Sequence, residues 1–209
     1  REEINGIARR VGLHTILNTV LNRSGEVIEA FFGDVVEAFN EDVRLSKQVY
    51  AAEIPEEADI VLAGSHPCDI EFWQAHKTLY PSDLAVKEGG IVIVVTPCPE
   101  GVAMTHRDIL EVACHDARGL RGMVSCGQLH DEVAAALAIA WAQVKERETV
   151  YLVSDGIGAE DAEKLGFTHF TNVQDALDAA LRLKGDGARV TVLTHAPDML
   201  PVIVPNEGK

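Results

Sequence analysis

Residues 58–101 decide the fold, and their sequence is ADIVLAGSHPCDIEFWQAHKTLYPSDLAVKEGGIVIVVTPCPEG. Two short apolar runs, 60–63 and 91–95, have the composition of strands that are buried on both faces of a parallel sheet. A helix is predicted over 69–80 between them, with Asp69 as its cap, and Gly89-Gly90 breaks the chain before the second strand. The stretch therefore predicts one β–α–β unit.

The alternation of apolar strands and helices continues downstream. A helix is predicted over 105–117, followed by a glycine-spaced link through Gly119, Gly122 and Gly127. The remaining predicted elements are helix 129–147, strand 149–153, helix 159–165, strand 167–170, helix 173–184 and strand 189–194. This order predicts a three-layer α/β/α fold with a mostly parallel sheet.

The first 50 residues have a different pattern. A short amphipathic helix over 2–11 is followed by β-rich runs at 14–21 and 26–32, and the turn signal Asn22-Arg23-Ser24-Gly25 between them predicts a hairpin. A helix over 34–50 follows, with Asp34 as its N-cap. The fold class is thus α/β with an N-terminal β-hairpin.

Composition excludes several classes of protein. The 209 residues carry 33 acidic and 18 basic side chains, a formal charge of −15 that disfavours nucleic acid and anionic membranes as partners. The four cysteines are too sparse for a disulfide framework, and no apolar run approaches the roughly 20 residues of a spanning helix. A cytoplasmic protein is expected, and the first residues, which lack a methionine, are expected to lie inside a longer chain.

Ligands of parallel α/β sheets bind where the strands end, so the loops 64–69 and 96–101 are the candidate site. On the helix after the first loop, Gln74 and Lys77 are three residues apart and share a face. An ammonium beside an amide suits a carboxylate or a 2-hydroxy acid. A solvated face, with Lys77 paired to a surface acid, remains the alternative interpretation.

Other motifs are weaker. No CxxC or HExxH pattern joins His66, Cys68, Cys98 or His106, so no metal site is predicted in this chain. The segment 154–158 follows a strand and contains two glycines, but turn chemistry explains it better than phosphate binding, because the full GxGxxG pattern is absent. A GxSxG nucleophile motif is also absent.

Several of these segments together resemble the C-terminal domain of the nickel-dependent lactate racemase family. The resemblance is carried by ADIV at 58–61, SHPCD at 65–69, WQAHK at 73–77, AVKEGG at 85–90 and PCPEG at 97–101, and it extends more loosely over nearly the whole chain.

The resemblance implies that residues 1–209 form the substrate-handling C-terminal domain of a two-domain enzyme. Such enzymes remove hydride from the α-carbon of a 2-hydroxy acid and return it, using a nickel-pincer nucleotide anchored in the N-terminal domain, so no cofactor is expected on this chain. The family's catalytic glutamine and lysine match Gln74 and Lys77, and its preceding aromatic residue matches Trp73. Ser65, His66 and Asp69 are predicted to contact the substrate as well. The family also has a tryptophan near the 129–147 helix, for which Trp141 is the only candidate in this sequence.

Three functions remain open at this point: a lactate racemase, a racemase or epimerase of another 2-hydroxy or sugar acid, and a non-catalytic domain that binds a small anion or mediates subunit contacts. The expected partners are a small 2-hydroxy acid and the enzyme's own N-terminal domain; an oligomer is compatible with the sequence.

Overall fold

A computed structural model describes residues 1–129 and 131–205, and the chain forms two compact units, 1–52 and 53 onward. Within the described residues, no helix has the length and apolar character needed to cross a membrane. The assignment of 1–209 to one functional domain remains a prediction.

The first unit contains the predicted hairpin. Its elements are α1 (Glu2–Arg10), β1 (Thr15–Leu21), β2 (Val27–Asp34) and α2 (Glu37–Tyr50). The two strands are antiparallel, and the Asn22 Oδ1 atom accepts hydrogen bonds from the Ser24 and Glu26 amides, both at 2.9 Å, which closes the turn. Asp34 ends β2 rather than occupying the N-cap, but its carboxylate still accepts from the amide of Val36, at 2.8 Å.

The second unit contains the α/β layers. Its elements in chain order are β3 (Ala51–Ile54, which begins at the end of the first unit), β4 (Ala58–Gly64), α3 (Phe72–Ala75), a 3₁₀ turn (His76–Thr78), α4 (Leu79–Ala85), β5 (Val86–Val95), α5 (Ile109–Val112), α6 (Ala117–Ser125), α7 (Glu132–Arg147), β6 (Thr149–Val153), α8 (Ala159–Lys164), β7 (Thr168–Phe170), α9 (Val173–Lys184), β8 (Val190–Leu193), a second 3₁₀ turn (Ala196–Asp198) and β9 (Leu200–Ile203).

Five strands form one sheet in the order β7-β6-β5-β4-β8, and every neighbouring pair is parallel. The runs that are rich in Val and Ile lie in the two central strands, β4 and β5, where both faces of the sheet are covered and alternation with polar residues is not needed. The predicted parallel sheet is therefore confirmed.

The two faces of the sheet are covered unequally. Helices α3 to α8 belong to the larger core, which contains Val61, Val92 and Leu152 from the sheet and Trp141 from α7. The opposite face packs against α9 through Ala176 and Ala180. The three-layer α/β/α architecture is confirmed, with one thick layer of helices and one thin layer.

The structure corrects several predicted elements. The helix predicted over 69–80 is divided into α3, the 3₁₀ turn and α4, and the chain is still extended at Glu71, so Asp69 does not cap a helix. Gly89-Gly90 lies inside β5 at an irregularity in the strand pairing, and does not precede the strand.

The region between β5 and β6 is also more finely divided than predicted. Of the helix predicted over 105–117, only α5 forms as an α-helix, and the link through Gly119 and Gly122 is the helix α6, where the Asp116 carboxylate accepts from the Gly119 amide. The pairing of β3 with β9 in a small separate sheet was not predicted, because its members are only four residues long.

Candidate functional site at the carboxyl edge of the sheet

The loops after β4 and β5 lie side by side at the carboxyl edge of the sheet, as predicted, and are joined through their backbones. Cys98 donates its amide to the carbonyl of Asp69, and Glu100 to that of Ile70, both at 3.0 Å. Trp73, on α3, donates to the carbonyl of Val102 at 2.8 Å. These bonds fix the position from which α3 begins.

A third loop, after β6, packs on the same edge. The Gly156 amide donates to the Pro97 carbonyl at 2.9 Å, and the Ser154 hydroxyl donates to the same carbonyl at 3.2 Å. A Cβ atom at Gly156 would lie 1.8 Å from the carbonyl oxygen of Cys98, so only glycine permits this approach. The segment 154–158 is thus a turn that packs against the loop after β5, in agreement with the turn predicted from its sequence.

Gln74 and Lys77 contact each other directly. The ammonium Nζ of Lys77 donates to the Gln74 Oε1 atom at 2.7 Å. Gln74 lies in α3 and Lys77 in the 3₁₀ turn that follows it, and residues three apart share one face in both kinds of helix. The bond leaves further donors free on the ammonium and on the Gln74 amide nitrogen.

The thiols of Cys68 and Cys98, on the loops after β4 and β5, are protonated at neutral pH. Burial raises the pKa of Cys68, the charge of Lys77 opposes that rise, and the charges of Asp198 and Asp69 add to it. Burial raises the pKa of Cys98 to about 11, and its sulfur lies 3.1 Å from the Thr96 hydroxyl. Neither cysteine therefore has the thiolate character of a nucleophile.

The predicted loop residues have different environments. The exposed imidazole of His66 donates to the Asp69 carboxylate at 3.2 Å, and its ring meets that of His195 edge to face, with centroids 5.7 Å apart. Ser65 is 1% exposed and its hydroxyl makes no hydrogen bond within the described residues. His66 thus faces solvent at this edge, Asp69 is partly buried beside it, and Ser65 is buried.

Trp73 is half-buried and stacks on His106, with ring centroids 4.2 Å apart and planes 17° from parallel. His106 donates from Nδ1 to the Asp131 carboxylate at 2.6 Å. Trp141, the other tryptophan, is fully buried against Phe72 and His76 and lies in the core.

Three residues near the site were not identified from the sequence. His195 and Asp198 follow β8, the edge strand next to β4, and Asp131 caps α7. The rule that ligands bind at strand ends would have identified His195 once β8 was placed beside β4, but strand order is not readable from the sequence. Asp131 had a signal of its own, an acid directly before an alanine-rich helix.

Among residues 1–129 and 131–205, no group of three His, Cys, Asp or Glu side chains is arranged to hold a metal ion. His76 is buried, and burial lowers its pKa to about 4, so it is neutral at pH 7. The described residues thus contain no cluster of side chains that could anchor a nickel cofactor.

The chain matches a known family model, that of the lactate racemase C-terminal domain, over residues 53–204. The lactate racemase of Thermoanaerobacterium thermosaccharolyticum is 29% identical over 96 residues, which are 45% of this chain and 22% of that protein.

Solved structures show the same fold. The lactate racemase apoprotein of Thermoanaerobacterium thermosaccharolyticum superposes with a TM-score of 0.79 at 20% identity, over 93% of this chain and 47% of that one. A crystal structure of a Thermotoga maritima protein superposes with a TM-score of 0.68 at 16% identity, over 98% of this chain and 53% of that one. The chain thus spans about half the length of these solved relatives.

Proposed function

The chain belongs to the lactate racemase C-terminal domain family, and on that premise we propose that it is the substrate-holding part of an enzyme that interconverts the stereoisomers of a 2-hydroxy acid. The observation that carries the proposal is the Lys77 ammonium, held 2.7 Å from the Gln74 amide oxygen at the carboxyl edge of the sheet. The acceptor of Lys77 is an uncharged amide oxygen, whereas the exposed Lys164 pairs with the Glu160 carboxylate.

The proposed role of Lys77 is to bind the substrate carboxylate. Its ammonium forms a charge-assisted hydrogen bond with an acid oxygen, which is about twice as strong as a neutral one. Gln74 orients that ammonium through Oε1 and donates from Nε2 to the carboxylate or to the α-hydroxyl group. The pair thereby fixes the acid and presents its α-carbon in a defined orientation.

The remaining predicted residues lie on α3 and on the loop after β4. Trp73 offers an apolar wall next to Gln74 in the chain, and His66 with Asp69 supplies a donor and an acceptor on the adjoining loop. Ser65 is the weakest candidate for direct contact, because its hydroxyl is buried.

The family implies a nickel-pincer nucleotide, which supplies a hydride acceptor at the metal centre when bound. The described residues lack a ligand set for it, so we propose that an N-terminal domain of the whole enzyme holds the cofactor. The residues of this chain bind and orient the acid and help to exclude water when the site closes.

The proposal is tested with the full-length, nickel-loaded protein. Single enantiomers of lactate and of larger 2-hydroxy acids are incubated with it, and chiral chromatography follows the appearance of the opposite enantiomer. Propionate, which lacks the hydroxyl group, is the control for anion binding alone. Conversion of lactate supports a lactate racemase, and conversion of only a larger acid identifies another racemase or epimerase. Binding of propionate and lactate with equal affinity, without any conversion, would overturn the proposal in favour of an anion-binding domain.

A further inference from the structure

The stacked pair of Trp73 and His106 links the proposed site, through Asp131, to the N-terminus of α7. The backbone of Trp73 is fixed by the bond from its amide to Val102, but nothing in that bond fixes the indole. The near-parallel imidazole of His106, with centroids 4.2 Å apart, covers one face of the indole. Stacked aromatic pairs of this kind stabilise a particular ring orientation.

His106 is itself held in place by Asp131. The Oδ2 atom of Asp131 accepts from His106 Nδ1 at 2.6 Å, and its Oδ1 atom accepts from the amides of Val133 and Ala134 at the start of α7. The side chains of both residues are mostly buried, 29% and 20% exposed respectively, so solvent competes only partly for this hydrogen bond. The hydrogen bond from the Ala134 amide, followed by that from His106, lowers the pKa of Asp131, so its carboxylate is ionised at neutral pH.

One carboxylate thus connects three elements: the N-terminus of α7, the segment after β5, and, through the imidazole, α3 with Trp73. We propose that His106, held by Asp131, is a positioning residue that fixes the indole of Trp73 as the wall of the substrate site. The expected effect on turnover rests on the proposed function, whereas the fixed orientation of the indole is a property of the chain itself.

Two variants remove the arrangement in different ways. His106→Ala deletes the stacked ring. Asp131→Ser leaves the imidazole in place and keeps an N-cap for α7, but serine is too short to reach His106. The matched control is Asp116→Ser, which makes the same change at the cap of α6, where the Asp116 carboxylate accepts from the Gly119 amide. A second control is His115→Ala, which removes an exposed imidazole.

The direct readout is near-ultraviolet circular dichroism of the full-length protein. The signal of Trp73 is obtained as the difference between each protein and the same protein with Trp73→Phe. A loss of about half of this difference signal or more is expected in His106→Ala and in Asp131→Ser, because an indole without its stacking partner samples several orientations. Both controls should keep it. Far-ultraviolet spectra and Tm values show that each variant is folded; if His106→Ala does not fold, Asp131→Ser alone decides the result.

The functional readout is kcat/KM for the 2-hydroxy acid. A decrease of several-fold to about tenfold is expected for His106→Ala, in keeping with the loss of one aromatic stacking contact. In the Trp73→Ala background the same change should have little further effect, because the residue through which His106 acts is then absent.

The two proposals fail in different ways. A Trp73 difference signal that is unchanged in both variants overturns the positioning role, even if Lys77 proves essential. Loss of that signal in a protein that converts no hydroxy acid supports the positioning of Trp73 and overturns the proposed function instead. Equal decreases in kcat/KM with and without Trp73 also overturn the positioning role.

Discussion

Replacing Gly156 by alanine tests whether the loops after β5 and β6 pack as closely as the structure shows. The new Cβ atom would lie 1.8 Å from the Cys98 carbonyl oxygen and 2.6 Å from that of Pro97. Ordinary contacts of this kind are about 3.4 Å or longer, and both obstacles are backbone atoms that cannot rotate away. The loop 96–101 must therefore shift by more than an ångström, or the turn at 154–158 must open.

Overpacking at a rigid site costs about 3 kcal/mol or somewhat more. For a chain of this size, that cost corresponds to a decrease in Tm of roughly 6–12 °C. The matched control is Gly158→Ala, two residues away, where a Cβ atom meets nothing within 4 Å and φ is −77°. The control should change the free energy of unfolding by less than about 1 kcal/mol, because the loss of a glycine N-cap is offset by a stiffer unfolded chain. The Tm values of the two variants are measured side by side by thermal unfolding. Equal values would show that the loops after β5 and β6 do not approach each other closely at Gly156.

Three further predictions concern the buried carboxyl group of Glu148, the binding of nickel and the side-chain amide of Gln74. Burial, followed by the proximity of the Asp83 carboxyl group, raises the pKa of Glu148 to about 9. The folded state therefore binds one extra proton between about pH 4.5 and 9, and stability falls as pH rises through that window. Glu148→Gln should therefore raise the free energy of unfolding at pH 7, by up to about 3 kcal/mol, and leave it unchanged near pH 4. The control Glu163→Gln, at an exposed position, should leave it nearly unchanged at both pH values. This chain alone should bind no nickel, and stoichiometric nickel in the purified 209-residue protein would contradict that expectation. Gln74→Ala should lower kcat by at least about tenfold in the full-length enzyme while the protein stays folded, because the ammonium of Lys77 loses its orienting acceptor.

The sheet was predictable from the sequence because its central strands are unbroken apolar runs. Ile60 to Ala63 and Ile91 to Val95 need no alternation when both faces are covered, and helices of adequate length separate most of the strands. The edge strands and the β3–β9 pair are too short for periodicity to be informative. The order of the strands, which places β8 next to β4, depends on packing between distant segments.

The site was only partly predictable. Loop position and spacing made Gln74 and Lys77 the candidates, and the two side chains do contact each other, although the chain forms α3 and a 3₁₀ turn where a single helix was predicted. Asp69 was expected to cap that helix, but the chain remains extended as far as Glu71, and Asp69 accepts from His66 instead. The linkage from Asp131 to Trp73 joins residues 58 positions apart, and no local pattern encodes it.

The central claim is that Lys77 binds the carboxylate of a 2-hydroxy acid during its stereochemical interconversion. The most direct measurement is the turnover of both enantiomers by full-length, nickel-loaded Lys77→Ala, compared with Lys164→Ala, which removes an exposed lysine that is paired with Glu160 at 2.8 Å. Loss of a charged donor at the reacting substrate should lower the rate about a hundredfold or more, while the surface variant keeps nearly the full rate. Equal, near wild-type rates for the two folded variants would contradict the claim and assign Lys77 to the solvated surface.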